Sequence, residues 1–515
     1  MIKQQIKHFR LGLGILFLTL SGYYLPTYLQ PKTVLAQPTA NQNLGQNIEA
    51  DRLFQEAEQL VSNETQFIQA FRRYQQALRL YRQSGDTTKA IATQQRLETV
   101  LATASLPLAE KFEQEIDQDE AAFFRQFPKT EDNQTANQLG ELAATQLGIS
   151  IVERPGDSWT ISESQQKAYE DIQRELVNYL DIQGRNATSS FDEVPPKLRD
   201  YLDQNADTLT AIRTLLLNNE SPRWGTDMSW ISEGEPYRLP RYLGSVNLQR
   251  IFAIDMLYKQ QQGKTKEVQE TLEASWKFSQ SLKNNPFLLG QLVSIILTRT
   301  QLGVMRKLDN LPSVWQQRLL EHDYRQSMLQ TLAGESLSFS TYYRWLMNQP
   351  ATALEDSKEE VGEEFANGYL ALGWLEWSES MQKNFLRWEA IATYQSKAEM
   401  YKALAQENIC TWNFTNWRST TEPIYGSLLD QSYHLSGGWE RAGRIMVELE
   451  LTQKILQIKE MGANARNLPN VQSAICPNAQ WTYQLERSNG SSIALMPLPR
   501  WAAGVWPRLP LIYNW

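Results

Sequence analysis

Apolar residues recur every three or four positions between Ala50 and Leu101, which is the period of an α-helix and not that of a β-strand. The apolar positions in this stretch are Leu53, Phe54, Ala57, Leu60 and Val61, followed by Ala70, Tyr74, Ala77, Leu78 and Tyr81. Such spacing places the apolar side chains on one face of each helix. The pattern therefore predicts antiparallel helices that pack through these faces.

The spacing of Ala70, Tyr74 and Ala77 resembles the small–aromatic–small pattern in the second helix of a tetratricopeptide repeat. Phe54 stands where the first bulky residue of that repeat belongs. Small residues let two helices approach closely, and the aromatic ring fills the groove between them. The resemblance covers residues 48–104 and implies a helical hairpin there.

Two positions depart from the repeat pattern, because Glu58 replaces the usual small residue and Arg82 the usual proline. About three repeats are normally needed for a stable stack, and this segment supplies about one and a half. We therefore expect the hairpin to pack against another part of the chain.

Helical periodicity continues through most of the remaining chain, and the predicted fold class is all-α. The predicted helices span residues 166–181, 196–218, 243–262, 264–282, 287–305, 313–348, 379–406 and 437–462. In 287–305, Gln291, Arg299 and Gln301 interrupt the apolar run. This favours a buried core helix over a membrane span. Residues 105–406 are predicted to form one helical array.

The segment 407–515 combines a long helix with a small β-hairpin and a Pro- and Trp-rich tail. Apolar and polar residues alternate in 481–485 and again in 493–495, and Asn489-Gly490 between them is typical of a two-residue type I′ turn. The tail from Pro497 is predicted to extend over the surface.

The first 36 residues have the pattern of a secretory signal peptide. Lys3, Lys7 and Arg10 precede an apolar run over 11–25, and Ala36 follows as a cleavage position. An uncleaved segment that anchors the chain in a membrane is the alternative. Residues 37–47 are predicted to be a disordered polar spacer. We expect an exported protein of the periplasm or the cell exterior.

An export signal ahead of a helical body resembles uncharacterised secreted helical proteins of bacteria, cyanobacteria among them. This resemblance implies no active site. The two cysteines, Cys410 and Cys476, both lie in the exported part. In an oxidising compartment an isolated pair is usually a disulfide. Two separate buried thiols are the alternative.

The chain has 515 residues and a net charge of −8, which becomes −12 once the four bases of the signal are removed. A surface of this sign repels phosphate backbones, so nucleic acid is not an expected partner. No phosphate-binding glycine loop occurs, and we expect no cofactor.

Candidate catalytic and metal-binding residues are few. Only His322 and His434 follow the signal, and they lie too far apart in sequence to suggest a zinc site. No nucleophile elbow of a serine hydrolase occurs. Glu335 and Glu376 are the best candidates for the paired carboxylates of a glycosidase, but the sequence predicts no enzyme.

Aromatic residues are the strongest candidates for binding. Of 16 tryptophans, most follow residue 344, and several lie where the helical period does not bury them. A long loop from Arg223 to Arg238 mixes aromatic and charged residues. The candidate binding residues are Arg223, Trp224, Trp230, Tyr237, Trp374, Trp377, Trp417 and Trp506. The alternatives are that the tryptophans cap an irregular core and that the loop fills a groove.

Together these features predict an exported, non-catalytic protein that serves as an interaction or scaffold component of the cell envelope. Its expected partner is an envelope protein, since paired helices build grooves for partner segments. The alternatives are a glycan-binding module in the tryptophan-rich half and, less favoured, a glycan hydrolase.

Overall fold

The computed structural model describes residues 40–61, 66–154, 159–229, 231, 240–348, 374–412, 431–462, 465, 468–486, 490–503 and 509–515. The fold is helical, with one small antiparallel sheet at the C-terminal end. The predicted all-α class with a C-terminal hairpin is confirmed. The predicted signal peptide, residues 1–36, lies outside the described residues.

Three helices form the N-terminal part: α1 (Ala40–Val61), α2 (Phe67–Ser84) and α3 (Thr87–Gln126). Gly85 ends α2 in the left-handed conformation, with φ of 79°. The Asp86 side chain then caps α3 by accepting from the Lys89 N–H. A helical hairpin therefore forms where the apolar period predicted one.

Helices run through both predicted boundaries of this part. Helix α1 begins at Ala40, so most of the predicted spacer, 37–47, is helical. Glutamine is a good helix former, and lengthening an existing helix costs little compared with nucleating one. Helix α3 is 40 residues long and passes through the predicted boundary at 104/105 without a break. One continuous helix thus joins the hairpin to the body.

Glu58, which departs from the repeat pattern, links the three N-terminal helices. Its carboxylate accepts from Tyr74 Oη on α2 at 2.7 Å and from Arg96 Nε on α3 at 2.6 Å. Asp51 makes a similar link, because it accepts from Tyr81 Oη at 2.5 Å and from Lys89 Nζ at 2.7 Å. Two polar bridges therefore reinforce the apolar face of the hairpin.

The helical array continues with α4 (Gln134–Leu147), α5 (Glu163–Arg185), α6 (Pro196–Gln204), α7 (Ala206–Asn218), α8 (Leu243–Gln261), α9 (Thr265–Ser279), α10 (Leu288–Met305), α11 (Val314–Arg318), α12 (Tyr324–Asn348), α13 (Glu379–Gln406) and α14 (Gln431–Met461). Most of these match the predicted helices. Helix α4 was not predicted, and 196–218 and 313–348 each divide into two helices.

Helix α10 is the one described helix that is long and apolar enough to cross a membrane, and 61% of it is buried inside the protein. One of its stripes is polar and contacts neighbouring helices. Gln291 Nε2 donates to the Asn285 carbonyl at 2.8 Å, and Gln301 Nε2 donates to the Leu272 carbonyl at 3.2 Å. Thr298 Oγ1 lies 2.5 Å from Tyr324 Oη. These bonds fit the predicted core helix, since protein groups satisfy these three polar side chains.

The C-terminal sheet has four antiparallel strands in the order β1 (Val471–Gln472), β2 (Gln480–Glu486), β3 (Gly490–Met496) and β4 (Ile512–Asn514). The predicted hairpin is β2 with β3. Its turn differs from the prediction, because Glu486 pairs with Gly490 and three residues separate them. Gly490 is therefore a strand residue, with φ of 105°. A Cβ at this position would lie 2.7 Å from the Trp515 carbonyl oxygen.

The tail does not simply extend over the surface, since Ile512–Asn514 pairs with β3 as a fourth strand. Leu509, Leu511 and Tyr513 are buried. Alternation along a strand sends every second side chain to the same face, and here that face packs on α14 through an apolar cluster. The tail thus completes the small C-terminal core.

The predicted disulfide joins Cys410 to Cys476, with 5.4 Å between the Cα atoms. It ties the end of α13 to the segment before β2. The buried Glu450 of α14 supports this junction, because its carboxylate accepts from Ser473 Oγ at 2.6 Å and from the Ala474 N–H at 2.7 Å. In the chain-entropy model a loop of 66 residues stabilises by about 4 kcal/mol when it is closed. A disulfide also fits an oxidising, extracytoplasmic compartment.

Candidate functional site

The first part of the predicted binding loop, which contains Trp224, is packed against the rest of the protein. Trp224 is 4% exposed, and its Nε1 donates to Ser281 Oγ at 3.1 Å. The ring therefore fills the space beside the end of α9 and is not available to a ligand.

The backbone on both sides of Trp224 is held by the segment that leads into α4. The Asn133 N–H donates to the Arg223 carbonyl at 3.1 Å, and the Thr130 N–H donates to the Thr226 carbonyl at 2.9 Å. The Arg223 side chain stays on the surface. The loop thus fills a groove as far as Thr226. Trp230 and Tyr237 lie outside the described residues.

Trp374 and Trp377 are buried, contrary to the prediction that they are exposed for binding. Their exposed fractions are 1% and 6%. Both rings pack around Phe385 of α13, with centroid distances of 6.0 and 5.2 Å. Trp417 and Trp506 lie outside the described residues.

These rings form the surface on which the N-terminal hairpin rests. Phe71 of α2 lies 6.4 Å from Trp377, and Phe67 lies 4.2 Å from Trp388, between ring centroids. Large flat rings bury much apolar area at low rotamer cost. The hairpin therefore packs on the body, as its shortness predicted, and the tryptophans are the packing partner.

Glu335 on α12 and Lys397 on α13 interact electrostatically between these two helices. Burial raises the pKa of the Glu335 carboxyl, although Lys397 and the Leu288 N–H favour its charged form. Burial lowers the pKa of Lys397 to about 7, against the attraction of Glu335. Lys397 is 8% exposed, and Glu335 as a residue is half-buried. This pair lies in the interface between α12 and α13. The side chain of Glu376, the other candidate carboxylate, lies outside the described part of the structure.

A second buried ionic cluster surrounds Glu448 of α14. Its two carboxylate oxygens accept from Arg299 Nε and Arg444 Nε, each at 2.8 Å. Burial acts to raise the pKa of Glu448, but the two arginines outweigh it and hold the pKa below its ordinary value. Arg306 donates to the Glu448 and Pro510 carbonyls at 3.0 and 2.8 Å. The cluster therefore fastens the C-terminal tail to α10 and α14.

His322 is half-buried just before the start of α12. Burial lowers its pKa to about 4, and its Nε2 lies 3.2 Å from Ser327 Oγ. Its ring packs on Tyr324 at 4.4 Å between centroids. Within the described ranges, no three His, Cys, Asp or Glu side chains converge to hold a metal ion.

The exposed side chains of α1 form a stripe that we call the α1 outer face. Its members are Leu44, Ile48, Arg52, Gln55 and Gln59, which recur with the helical period and are all exposed. Leu44 and Ile48 are 64% and 63% exposed. They lie one turn apart, so their side chains are neighbours on the helix surface. The opposite face, with Ala50, Leu53 and Ala57, is buried against α2.

Sequence analysis missed the α1 outer face because residues 37–47 lack a long apolar period. The signal was the spacing of Leu44 and Ile48, which continues the phase of the following helix. The Glu448 cluster was missed as well, although Arg444 and Glu448 are spaced as an i,i+4 pair.

Comparison of this chain with protein-family models, with curated proteins and with solved structures gives no match.

Proposed function

We propose that this protein is an exported, non-catalytic interaction protein of the cell envelope, and that the α1 outer face binds its protein partner. The carrying observation is the exposure of Leu44 and Ile48 on a helix whose other face is anchored. Two adjacent aliphatic side chains on a helix surface suit the apolar stripe of a partner helix.

The charges beside this apolar pair add specificity. Arg52 Nε donates to Glu49 Oε2 at 2.8 Å, and Arg52 also contacts Glu56. Such exposed ion pairs contribute little to stability, so a partner can rearrange them at low cost. Rim charges of this kind set partner choice and association rate more than affinity.

The rest of the hairpin is suited to holding α1 in place. The bridges through Glu58 and Asp51 join α1 to α3, and α3 continues into the body. Phe67 and Phe71 fix α2 on the tryptophans of α13 and its preceding turn. A rigidly held helix loses little conformational entropy when a partner binds.

Site-specific photo-crosslinking in the producing cell tests this proposal. A photoreactive residue at Gln55 is expected to form one dominant crosslink to an envelope protein. The same residue at Lys266, whose side chain is 91% exposed on α9, is the matched control and should not form that crosslink.

Mutation of the apolar pair provides the second part of the test. Leu44→Gln/Ile48→Gln should abolish the crosslink from Gln55, whereas Leu243→Gln/Val314→Gln should leave it intact, since those side chains are 49% and 47% exposed elsewhere. Equal crosslinking from both sites, or a Gln55 crosslink that survives loss of Leu44 and Ile48, would overturn the proposal.

The glycan-binding alternative keeps Trp417 and Trp506 as its candidates, since Trp374 and Trp377 are in the core. The hydrolase alternative keeps Glu335 and Glu376 as its candidates. An unchanged rate of glycan hydrolysis in Glu335→Gln, with the fold intact, would remove that assignment.

A further inference from the structure

The outward face of the C-terminal sheet carries exposed aliphatic side chains. Ala494 of β3 pairs directly with Ile512 of β4, and alternation places Met496 on the same face. Met496 is 50% exposed and Ile512 is 40% exposed. Leu498, two residues beyond β3, is 53% exposed. The opposite face is the one buried against α14.

The other described side chains on this face are uncharged. They are Gln472, Gln480, Thr482, Gln484, Asn514 and the buried Ser492. We call this surface, together with Leu498, the outer sheet face.

The charge of this part of the chain is opposite to that of the whole. The whole chain has a net charge of −8, whereas residues 487–515 contain three arginines and no acidic residue. Arg500 is exposed at the start of the 3-10 turn Arg500–Ala503, four residues after Met496. Exposed aliphatic side chains followed closely in sequence by an exposed arginine suit an anionic lipid surface.

We propose that the outer sheet face docks on an anionic lipid bilayer. Met496, Leu498 and Ile512 enter the interfacial region, and Arg500 stays at the level of the headgroups, where its long side chain reaches phosphate. A second copy of the chain is a poorer occupant, because the paired surfaces would bring two positively charged segments together. This binding mode is independent of the α1 outer face.

Vesicle co-sedimentation tests the proposal with protein purified after export, its N-terminus read by mass spectrometry. The probes are vesicles of phosphatidylcholine with an equal part of phosphatidylglycerol, and vesicles of phosphatidylcholine alone. Wild-type protein is expected to prefer the anionic vesicles, and added salt should weaken the binding.

The variant Met496→Gln/Ile512→Gln should bind the anionic vesicles about tenfold more weakly. Leu243→Gln/Val314→Gln removes two similarly exposed aliphatic side chains, 49% and 47% exposed, from α8 and α11. It is the matched control and is expected to bind like wild type. Arg500→Gln should reduce the preference for anionic lipid. Circular dichroism of each variant checks that the fold is kept.

Three results would overturn the proposal: equal binding of the sheet variant and wild type, equal loss in the sheet variant and the Leu243/Val314 control, or no preference for anionic lipid. A wild-type dimer that the sheet variant converts to monomer would instead assign this face to a second copy. None of these results bears on the crosslink from Gln55, so the two proposals fail separately.

Discussion

Tyr74 donates a hydrogen bond to the Glu58 carboxylate across the N-terminal hairpin, with 2.7 Å between Tyr74 Oη and Glu58 Oε1. Arg96 approaches the same carboxylate from α3. One side chain that departs from the repeat pattern is therefore the point at which three helices meet. In this position a small residue would permit packing of two helices, whereas Glu58 connects all three.

Replacing Glu58 with Gln is expected to lower the free energy of unfolding at neutral pH by about 1 kcal/mol, because a partly exposed charged hydrogen bond contributes about that much. Arg96 holds the pKa of Glu58 below its ordinary value. This stabilisation is present above the unfolded pKa of about 4.3 and is lost as pH falls through the folded pKa.

Urea unfolding at neutral pH and at about pH 3 measures the effect, and wild type and variant should converge in acid. Glu49→Gln is the control, since its pair with Arg52 is exposed. An equal loss of unfolding free energy in both variants would show that the contacts of Glu58 with Tyr74 and Arg96 stabilise the protein no more than an exposed ion pair does.

Truncation of Trp377 is expected to destabilise the protein by about 3–5 kcal/mol, because it empties a buried site between α2 and α13. Leu375, two residues earlier, is 72% exposed. Leu375→Ala should therefore change the free energy of unfolding by no more than about 0.5 kcal/mol. Chemical denaturation of both variants checks this. If Trp377→Ala kept full stability and lost glycan binding, the ring would belong to a binding site after all.

Replacing Glu448 with Gln is expected to cost about 3–5 kcal/mol, because it leaves the buried Arg444 and the half-buried Arg299 without their carboxylate. Amide hydrogen exchange should also become faster in residues 509–515, which Arg306 and Arg444 hold through backbone carbonyls. Glu460→Gln, on the exposed part of the same helix, is the control. Unchanged exchange in the tail would contradict the anchoring role of the cluster.

The stability of the protein should depend on His322 between about pH 4 and pH 6.5, because burial lowers its folded pKa to about 4. In this window the unfolded chain binds the proton that the folded chain excludes, so the free energy of unfolding rises with pH. The contribution is about 3 kcal/mol at most.

His322→Phe keeps a ring against Tyr324 and removes the titration. The difference in unfolding free energy between wild type and this variant should increase in favour of wild type as pH rises through the window. A difference that stays constant with pH would show that His322 titrates normally.

Sequence analysis and structure agree most closely where the signal is local. The helix predicted at 379–406 has the same bounds in the structure, and the pair at 243–262 and 264–282 differs by a few residues. Helical periodicity is a property of a short window, and Ser378 supplies its own cap by accepting from the Met381 N–H. Such features need no knowledge of distant residues.

The interpretation of the tryptophans shows the limit of this reasoning. Trp374 and Trp377 lie in a 3-10 turn and at its end, where no helical period predicts burial. Trp377 packs against Phe71, which is more than 300 positions earlier in the chain. Outside a regular helix or strand, burial depends on which distant segment packs against a residue. The spacing of residues along the chain does not identify that segment.

By itself the sequence determined that this chain is helical, that β2 and β3 form a hairpin, and that Cys410 and Cys476 are available to each other, because period, turn composition and residue count are read along the chain. Only the tertiary structure decided that the tryptophans pack against the N-terminal helical hairpin, that the C-terminal tail adds β4 to the sheet, and that Glu448 lies among three arginines. Each of these depends on contacts between distant segments, whose geometry is set by packing of the whole molecule.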